Sequence, residues 1–318
     1  MSDEKSAGSR VRRSVNGAAA AAVVLAVALA ATRCSGPNTV TPTPPPPPVA
    51  QTAVLIGTGD VADCEHDRGQ HAEDTAKLIE ASPEAIVFVA GDLAYQDGSR
   101  ERFENCYGPR WGRFKGRTRP APGNHEYQSA GAIPYYSYFG PNAGPVGAGF
   151  YSYNAGSWHV IALNSNVAAT QGSEQYQWLR DDLASTNARC TVAYWHHPRF
   201  TSGPSGGIRV DPSLMRDVWS LLIAFNVDVV LNGHDHFYQR FAPQDTDGNA
   251  NANGIREFVI GTGGAPLYAT AGPARNIEFG PLSTYGVLRL TLRSGAYDWE
   301  FLEAGRPAPL DIGSGQCH

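Results

Sequence analysis

The chain of 318 residues is 42% hydrophobic, 17% charged and 10% aromatic, which is enough to bury a sizeable core and excludes a disordered, fibrous or small disulfide-stapled protein. Its 25 basic residues stand against 30 acidic ones, and a formal charge of -5 offers no broad footprint for nucleic acid. Without residues 1–33, which carry five of the basic and two of the acidic groups, the charge is -8, so an anionic substrate must meet a local source of positive charge.

Residues 1–33 read as an export signal. Arg10, Arg12 and Arg13 precede the uncharged run Ala18–Ala31, which is short against the ~20 apolar residues of a membrane span. A lipoprotein signal is the alternative, with Cys34 as lipid carrier, although Arg33 stands where such signals usually have a small residue. Membrane attachment is expected only through this segment or that lipid, and the location is extracellular, periplasmic or cell-surface. Residues 34–50 form a linker holding seven of the 23 prolines, a composition that favours extended polyproline II and cannot pack a core. The globular part runs from 51 to 318.

Within it, short β-branched runs predict strands at 52–58, 85–90, 149–153, 157–163, 190–195, 227–232, 255–261, 285–292 and 297–302. Amphipathic patterns predict helices at 70–81, 99–106, 173–186 and 212–225. Early strands alternate with helices and late ones come one after another, so the expected fold is α/β, with mixed sheets packed together and flanked by helices. Cys64, Cys106, Cys190 and Cys317 are an even set in an exported chain and predict two disulfides. Three pairings are possible; Cys64 with Cys106, and Cys190 with Cys317, are favoured because the first two flank one predicted site and the second pair ties the C-terminus to a core strand.

The predicted site lies in the residues just beyond the apolar runs. AVLIGTG is followed by Asp60, IVFVAG by Asp92, TRPAPG by Asn124, TVAYW by His196, and VDVVLNG by His234 and His236. Sites in open α/β sheets lie beyond the carboxyl ends of strands, so these residues should converge. With Tyr95 they make two carboxylates, an amide oxygen, a phenol and three imidazoles. That set suits iron, manganese or zinc better than calcium or thiolate chemistry. Singly, each of these residues is commonly a turn, cap or core residue; the ordered series GTGD, GDLAY, GNHE, HHP and GHDH is not easily reached by chance.

Those five motifs, over Val54 to Arg240, resemble the calcineurin-like metallophosphoesterases, and within them the purple acid phosphatase type. The resemblance implies a four-layer α/β/β/α sandwich with a dinuclear metal site at the strand ends, and makes 51–318 the catalytic domain. It implies Asp60, Asp92, Tyr95 and His236 as ligands of a first metal, Fe(III), and Asp92 as a bridge to a second, divalent iron, zinc or manganese, held by Asn124, His196 and His234. The subtype rests on Ala62, where many relatives have a liganding His, together with Tyr95. Gln239 stands where many relatives carry Glu.

Phosphate monoester hydrolysis is among the slowest uncatalysed reactions, and general acid or base catalysis supplies only about 10²- to 10⁴-fold. Two metals about 3.5 to 4 Å apart supply more, and also the positive charge that the acidic chain lacks. The expected reaction is attack of a metal-bound hydroxide on the phosphorus of a small phosphate ester. His125 orients substrate or protonates the leaving oxygen, unless it only supports a neighbour. His197 is expected to support His196. Arg199 and Arg240 are open between phosphate contact and salt bridges. The motifs leave the leaving-group pocket undefined, so a phosphodiesterase or nucleotidase is the close alternative, and a noncatalytic cell-surface binding protein the distant one.

Overall fold

A computed structural model describes residues 52–203, 215–268 and 274–318. The predicted export signal and linker, and the first residues of the helix predicted at 212–225, lie outside the described residues.

Thirteen strands among the described residues form two mixed sheets. In the first, β1 (Ala53–Thr58), β2 (Ile86–Ala90) and β3 (Thr118–Ala121) run parallel, and β11 (Gly286–Arg293), β12 (Ala296–Glu303) and β13 (Asp311–Gln316) extend it antiparallel from β1. The second has the order β10 (Ile277–Leu282), β8 (Tyr238–Phe241), β9 (Arg256–Ile260), β7 (Val229–Asn232), β6 (Cys190–Trp195), β5 (Trp158–Ala162) and β4 (Tyr151–Ala155). Its centre, β5-β6-β7-β9, is parallel.

Strands buried on both faces read as continuous apolar runs, as IVFVA and TVAYW do. Leu55, Phe88, Leu288 and Leu290 of the first sheet pack against Val160, Val192, Val229 and Phe258 of the second in one core. The opposite face of the first sheet is covered by α1 (Gln70–Glu80), a π-helical turn at Phe103–Tyr107 that continues the short α2 (Arg100–Arg102), α3 (Gly108–Trp111) and α4 (Ile133–Phe139). The outer face of the second carries α5 (Glu174–Ser185) and α6 (Arg216–Ala224). This is the expected α/β/β/α sandwich. Helix α1 buries Ala72, Thr75, Ala76 and Ile79, a single stripe at helical spacing, and α5 starts where Ser173 accepts a bond from the Tyr176 amide.

All nine predicted strands are present, and four more were not expected: β3, β8, β10 and β13. The helix predicted at 99–106 is a broken helical run whose π turn buries Phe103, Cys106 and Tyr107. Both favoured disulfides, Cys64–Cys106 and Cys190–Cys317, are formed. The two sheets meet at their carboxyl edge, where the Gly59 amide and the Thr58 hydroxyl of the first both donate to the Ile260 carbonyl of the second.

Candidate metal centre

That shared edge brings together residues separated by up to 176 positions. Asp60 lies two residues beyond β1, Asp92 two beyond β2, Asn124 three beyond β3, His196 directly after β6 and His234 two beyond β7. The backbone must turn sharply to aim them inward, and Asp60, Asp92 and His234 adopt left-handed φ values of 60°, 51° and 69°. Such strain in non-glycine residues gathers at functional sites. The glycines of the motifs serve the same crowding: a Cβ on Gly91, itself at φ 83°, would lie 2.4 Å from His196 Nδ1, and one on Gly123 would lie 2.0 Å from Asp92 Oδ1.

The donor atoms fall into two groups sharing one oxygen. In the first, the Tyr95 hydroxyl is 2.8 Å from Asp60 Oδ1, 3.2 Å from Asp92 Oδ2 and 3.1 Å from His236 Nε2, which is itself 3.0 Å from Asp60 Oδ1. In the second, His196 Nε2 is 3.1 Å from the same Asp92 Oδ2, 3.0 Å from Asn124 Oδ1 and 3.1 Å from His234 Nδ1. The Tyr95 side chain is therefore turned to the polar cluster and is more than a core aromatic. Ala62 keeps it there: its carbonyl accepts the Tyr95 amide at 2.9 Å.

The outer nitrogens fix what the inner ones offer. His196 Nδ1 is 2.8 Å from the Ala90 carbonyl and His236 Nδ1 is 2.7 Å from that of Pro266. Each bond needs the proton on Nδ1, so each neutral ring turns an Nε2 lone pair toward the cluster. Lone pairs then face the oxygens of Asn124 and Asp92, an arrangement that requires positive charge between them. A single proton on His196 cannot serve Asn124, Asp92 and His234 together, whereas a cation about 2 Å from each donor leaves neighbouring donors about 3 Å apart, as they stand here. The residues present fit a pair of such ions.

The ionisation of the groups carries the same demand. Burial opposes a charge on His196, yet the Asp92 carboxylate lifts it to about 9. His236 is likewise raised, by Asp60 against burial. Asp92 is held well below the usual carboxylate range by His196 despite its burial. Burial, with His196 adjacent, lowers His234 to about 3, leaving a neutral imidazole fit for ligation. The Tyr95 phenol is raised by burial and by Asp60 and Asp92, so its ionisation requires a strong Lewis acid.

Around this cluster, His125 lies over the Tyr95 ring, centroids 4.2 Å apart, with 21% of its side chain exposed. Its amide donates to Asp92 Oδ1 at 2.8 Å, and Nε2 stands 3.8 Å from Asp92 Oδ2. Its Nδ1 meets the Gln96 carbonyl. His197 is beside His234, ring centroids 4.4 Å apart. Arg240 is committed elsewhere, to both oxygens of buried Asp311 at 2.7 and 3.0 Å and to Glu278, so it is a structural ion pair. Arg199 donates to the Thr246 carbonyl at 3.1 Å. Gln239 accepts from the Ser202 amide at 3.1 Å, supporting the loop after β6.

Two contributors escaped the sequence reading. Glu126, the last residue of GNHE, is wholly buried and accepts from the amides of Asp92, Leu93, Ala94 and Gly123 at 2.8 to 3.3 Å, clamping the Asp92 and Asn124 loops together. Burial and the nearby Asp92 push it up to about 7. The motif was visible, but a glutamate after a histidine reads as a helix-start residue. Tyr268 stacks on His236, centroids 4.1 Å apart, and nothing in PLYAT marked it.

Two facing mixed sheets with a mixed oxygen and nitrogen donor set at their common carboxyl edge define the architecture of a metallophosphoesterase. Residues 54–238 match the calcineurin-like phosphoesterase family model, and the chain belongs to that family. It is 31% identical to purple acid phosphatase 15 of Arabidopsis thaliana over 240 residues, covering 63% of this chain and 42% of that protein. It is 29% identical to a purple acid phosphatase of Glycine max over 237 residues, covering 67% and 50%. The chain thus spans about half the length of these plant relatives. The structure of yellow lupin purple acid phosphatase PPD1 superposes with a TM-score of 0.71 at 20% identity, over 84% of this chain and 54% of that one. GAP50, the anchor in the inner membrane complex of Plasmodium, superposes at 0.65 with 13% identity over 84% and 89%, a likeness of fold alone.

Proposed function

We propose that the chain is an exported phosphatase that hydrolyses small phosphomonoesters at a dinuclear metal centre of the purple acid phosphatase type. Asp60, Asp92, Tyr95 and His236 would hold an Fe(III), and Asp92, Asn124, His196 and His234 a divalent iron, zinc or manganese. The observation that carries this reading is the meeting of His196 Nε2 with the acceptor oxygens of Asn124 and Asp92 at 3.0 and 3.1 Å, while the Tyr95 hydroxyl reaches the same Asp92 oxygen, an arrangement that closely spaced positive charge reconciles. Bound there, two cations neutralise phosphoryl charge and acidify water, the contribution that this slow reaction most needs.

The chain's own residues do the rest. Asp92 sets the spacing between the two positions, and Glu126 holds the Asp92 loop by three amides. The carbonyls of Ala90 and Pro266 keep His196 and His236 in the ligating tautomer. His125, partly exposed beside Asp92, protonates the leaving oxygen. The likeness to purple acid phosphatases supports the monoester reading, and the two disulfides support an oxidising, extracytoplasmic location reached through the 1–33 signal.

The test compares p-nitrophenyl phosphate with bis-p-nitrophenyl phosphate on metal-loaded protein. Monoester turnover should dominate and disappear on chelation; dominant diester turnover would favour the phosphodiesterase alternative and overturn the monoester assignment. A visible charge-transfer band should be present with iron bound and absent in Tyr95→Phe. A band that survives that substitution would remove Tyr95 from the iron.

A further inference from the structure

The histidine next to His196 in the chain has a role that ligand geometry alone does not assign. His197 is held by the loop after β5: its amide donates to Ser165 Oγ at 3.1 Å, and its Nδ1 lies 2.8 Å from the same oxygen. The Trp195 indole donates to the His197 carbonyl at 2.7 Å, fixing the backbone from the other side. One ring nitrogen of His197 lies within 4.8 Å of those of His196 and His234. Three imidazoles thus meet at the edge of the second metal position, whereas the five motifs account for two.

Hydrogen-bond accounting decides what the third one offers. Ser165 is only 3% exposed, so its hydroxyl hydrogen needs an acceptor within the protein. Its oxygen already accepts the His197 amide, and among the described residues the acceptor found for its hydrogen is His197 Nδ1. Nδ1 is therefore the lone-pair nitrogen, and the proton of the neutral ring is on Nε2. This is the opposite tautomer to that of His196 and His236, whose Nδ1 atoms donate to carbonyls. A protonated Nε2 cannot ligate a metal; it can donate a hydrogen bond.

We propose that His197 Nε2–H donates to a non-bridging phosphoryl oxygen of the bound ester, and that Ser165 is the positioning residue that holds the ring in this tautomer. This rests on the phosphatase reading above. A neutral donor suits the place, because it adds no charge to a site that would already concentrate two cations, and it contacts the oxygens over which the phosphoryl charge is spread in the transition state.

The experiment measures orthophosphate affinity by calorimetry, and metal content, on metal-loaded full-length protein. Wild type should hold two metals and bind orthophosphate. His197→Ala should keep both metals and the wild-type absorption spectrum, bind orthophosphate about 10- to 100-fold more weakly, and lose kcat/KM by a similar factor, the effect of one hydrogen bond to a charged group. His197→Gln, which returns an N–H near the Nε2 position, should recover most of that loss. Ser165→Ala, a small change unlike a ring deletion, should weaken orthophosphate binding about 3- to 10-fold by releasing the tautomer. Loss of one metal equivalent in His197→Ala would make it a ligand and overturn the proposal, as would unchanged orthophosphate affinity beside a competent wild type. A wild type that holds two metals but neither binds orthophosphate nor turns over any ester would overturn the phosphatase reading itself, and this inference with it.

Discussion

The two edges of the sandwich are built on opposite principles. At the carboxyl edge, Asp60, Asp92 and His234 hold left-handed backbone and acceptor atoms face one another across about 3 Å. At the amino edge, polar groups meet partners from within the chain. Asp228 accepts the amides of Thr191 and His318 at 2.8 and 2.9 Å, the Trp158 indole donates to the Arg293 carbonyl, and Cys190 is bonded to Cys317. The amino edge is closed by the chain alone; the carboxyl edge also gathers acceptor atoms that the proposed cations would join. Conformational free energy is stored at the site and offset elsewhere in the fold.

Substitutions should therefore separate activity from stability according to edge. Asp92→Ala removes the oxygen shared by both donor groups and should lower kcat/KM on p-nitrophenyl phosphate by about 10³-fold or more, while the urea midpoint of the metal-free protein, which loses the Asp92–His196 pair, falls only slightly. A large fall in that midpoint would mean that Asp92 is structural. Replacing Cys190 and Cys317 by serine opens a loop closed over a sequence separation of 127, and should cost about 2 to 4 kcal/mol in urea unfolding while kcat/KM changes less than about threefold. Activity falling in step with stability would erase the contrast between the edges.

Glu126→Gln tests the junction of the two regimes. One amide-for-carboxylate exchange leaves part of a four-amide clamp unsatisfied, and should cost about 1 to 3 kcal/mol of stability together with weakened metal retention, measured by dialysis against a chelator. Unaltered retention would detach Glu126 from the site.

The smallest effect is a slope. Burial pushes Glu257 from its ordinary value near 4.5 up to about 8, although the amides of Arg199 and Phe200 donate to it. Between those values the folded protein keeps a proton that the unfolded chain has released, so stability falls as pH rises from 4.5 to 8 and then levels. Glu257→Gln should flatten that fall, by roughly 1.4 kcal/mol per pH unit at most, in urea titrations across the window. An unchanged slope would show that Glu257 ionises normally.

How much of this was legible in the sequence divides along the same line. Strands buried on both faces announce themselves, as TVAYW and VVLN do, and the residues at their ends could be read as convergent because parallel strands share a carboxyl edge. The strands that were missed carry no such run or, before Asn124, only a short one. TRPA is four residues with a proline, IEFGPL is broken by Gly-Pro, and DIGSGQ is an edge strand whose only large apolar side chain, Ile312, is 67% exposed. YQRF is buried by its partners β9 and β10, and Arg240 within it is neutralised by Asp311, 71 positions away. Among the site residues, donor types and order were readable. The clamp at Glu126 and the tautomer set by Ser165 were not, because both depend on backbone amides and on a loop that only the fold brings near.

The central claim is that the seven donor side chains hold two cations that make the chain a phosphatase. The most direct measurement is metal content by elemental analysis on one purified preparation, alongside its turnover of p-nitrophenyl phosphate before chelation, after chelation and after reloading. Two metal equivalents per chain, with turnover lost on their removal and regained on their return, are predicted. A preparation that binds fewer than two, or that holds two and leaves the ester intact, would contradict it.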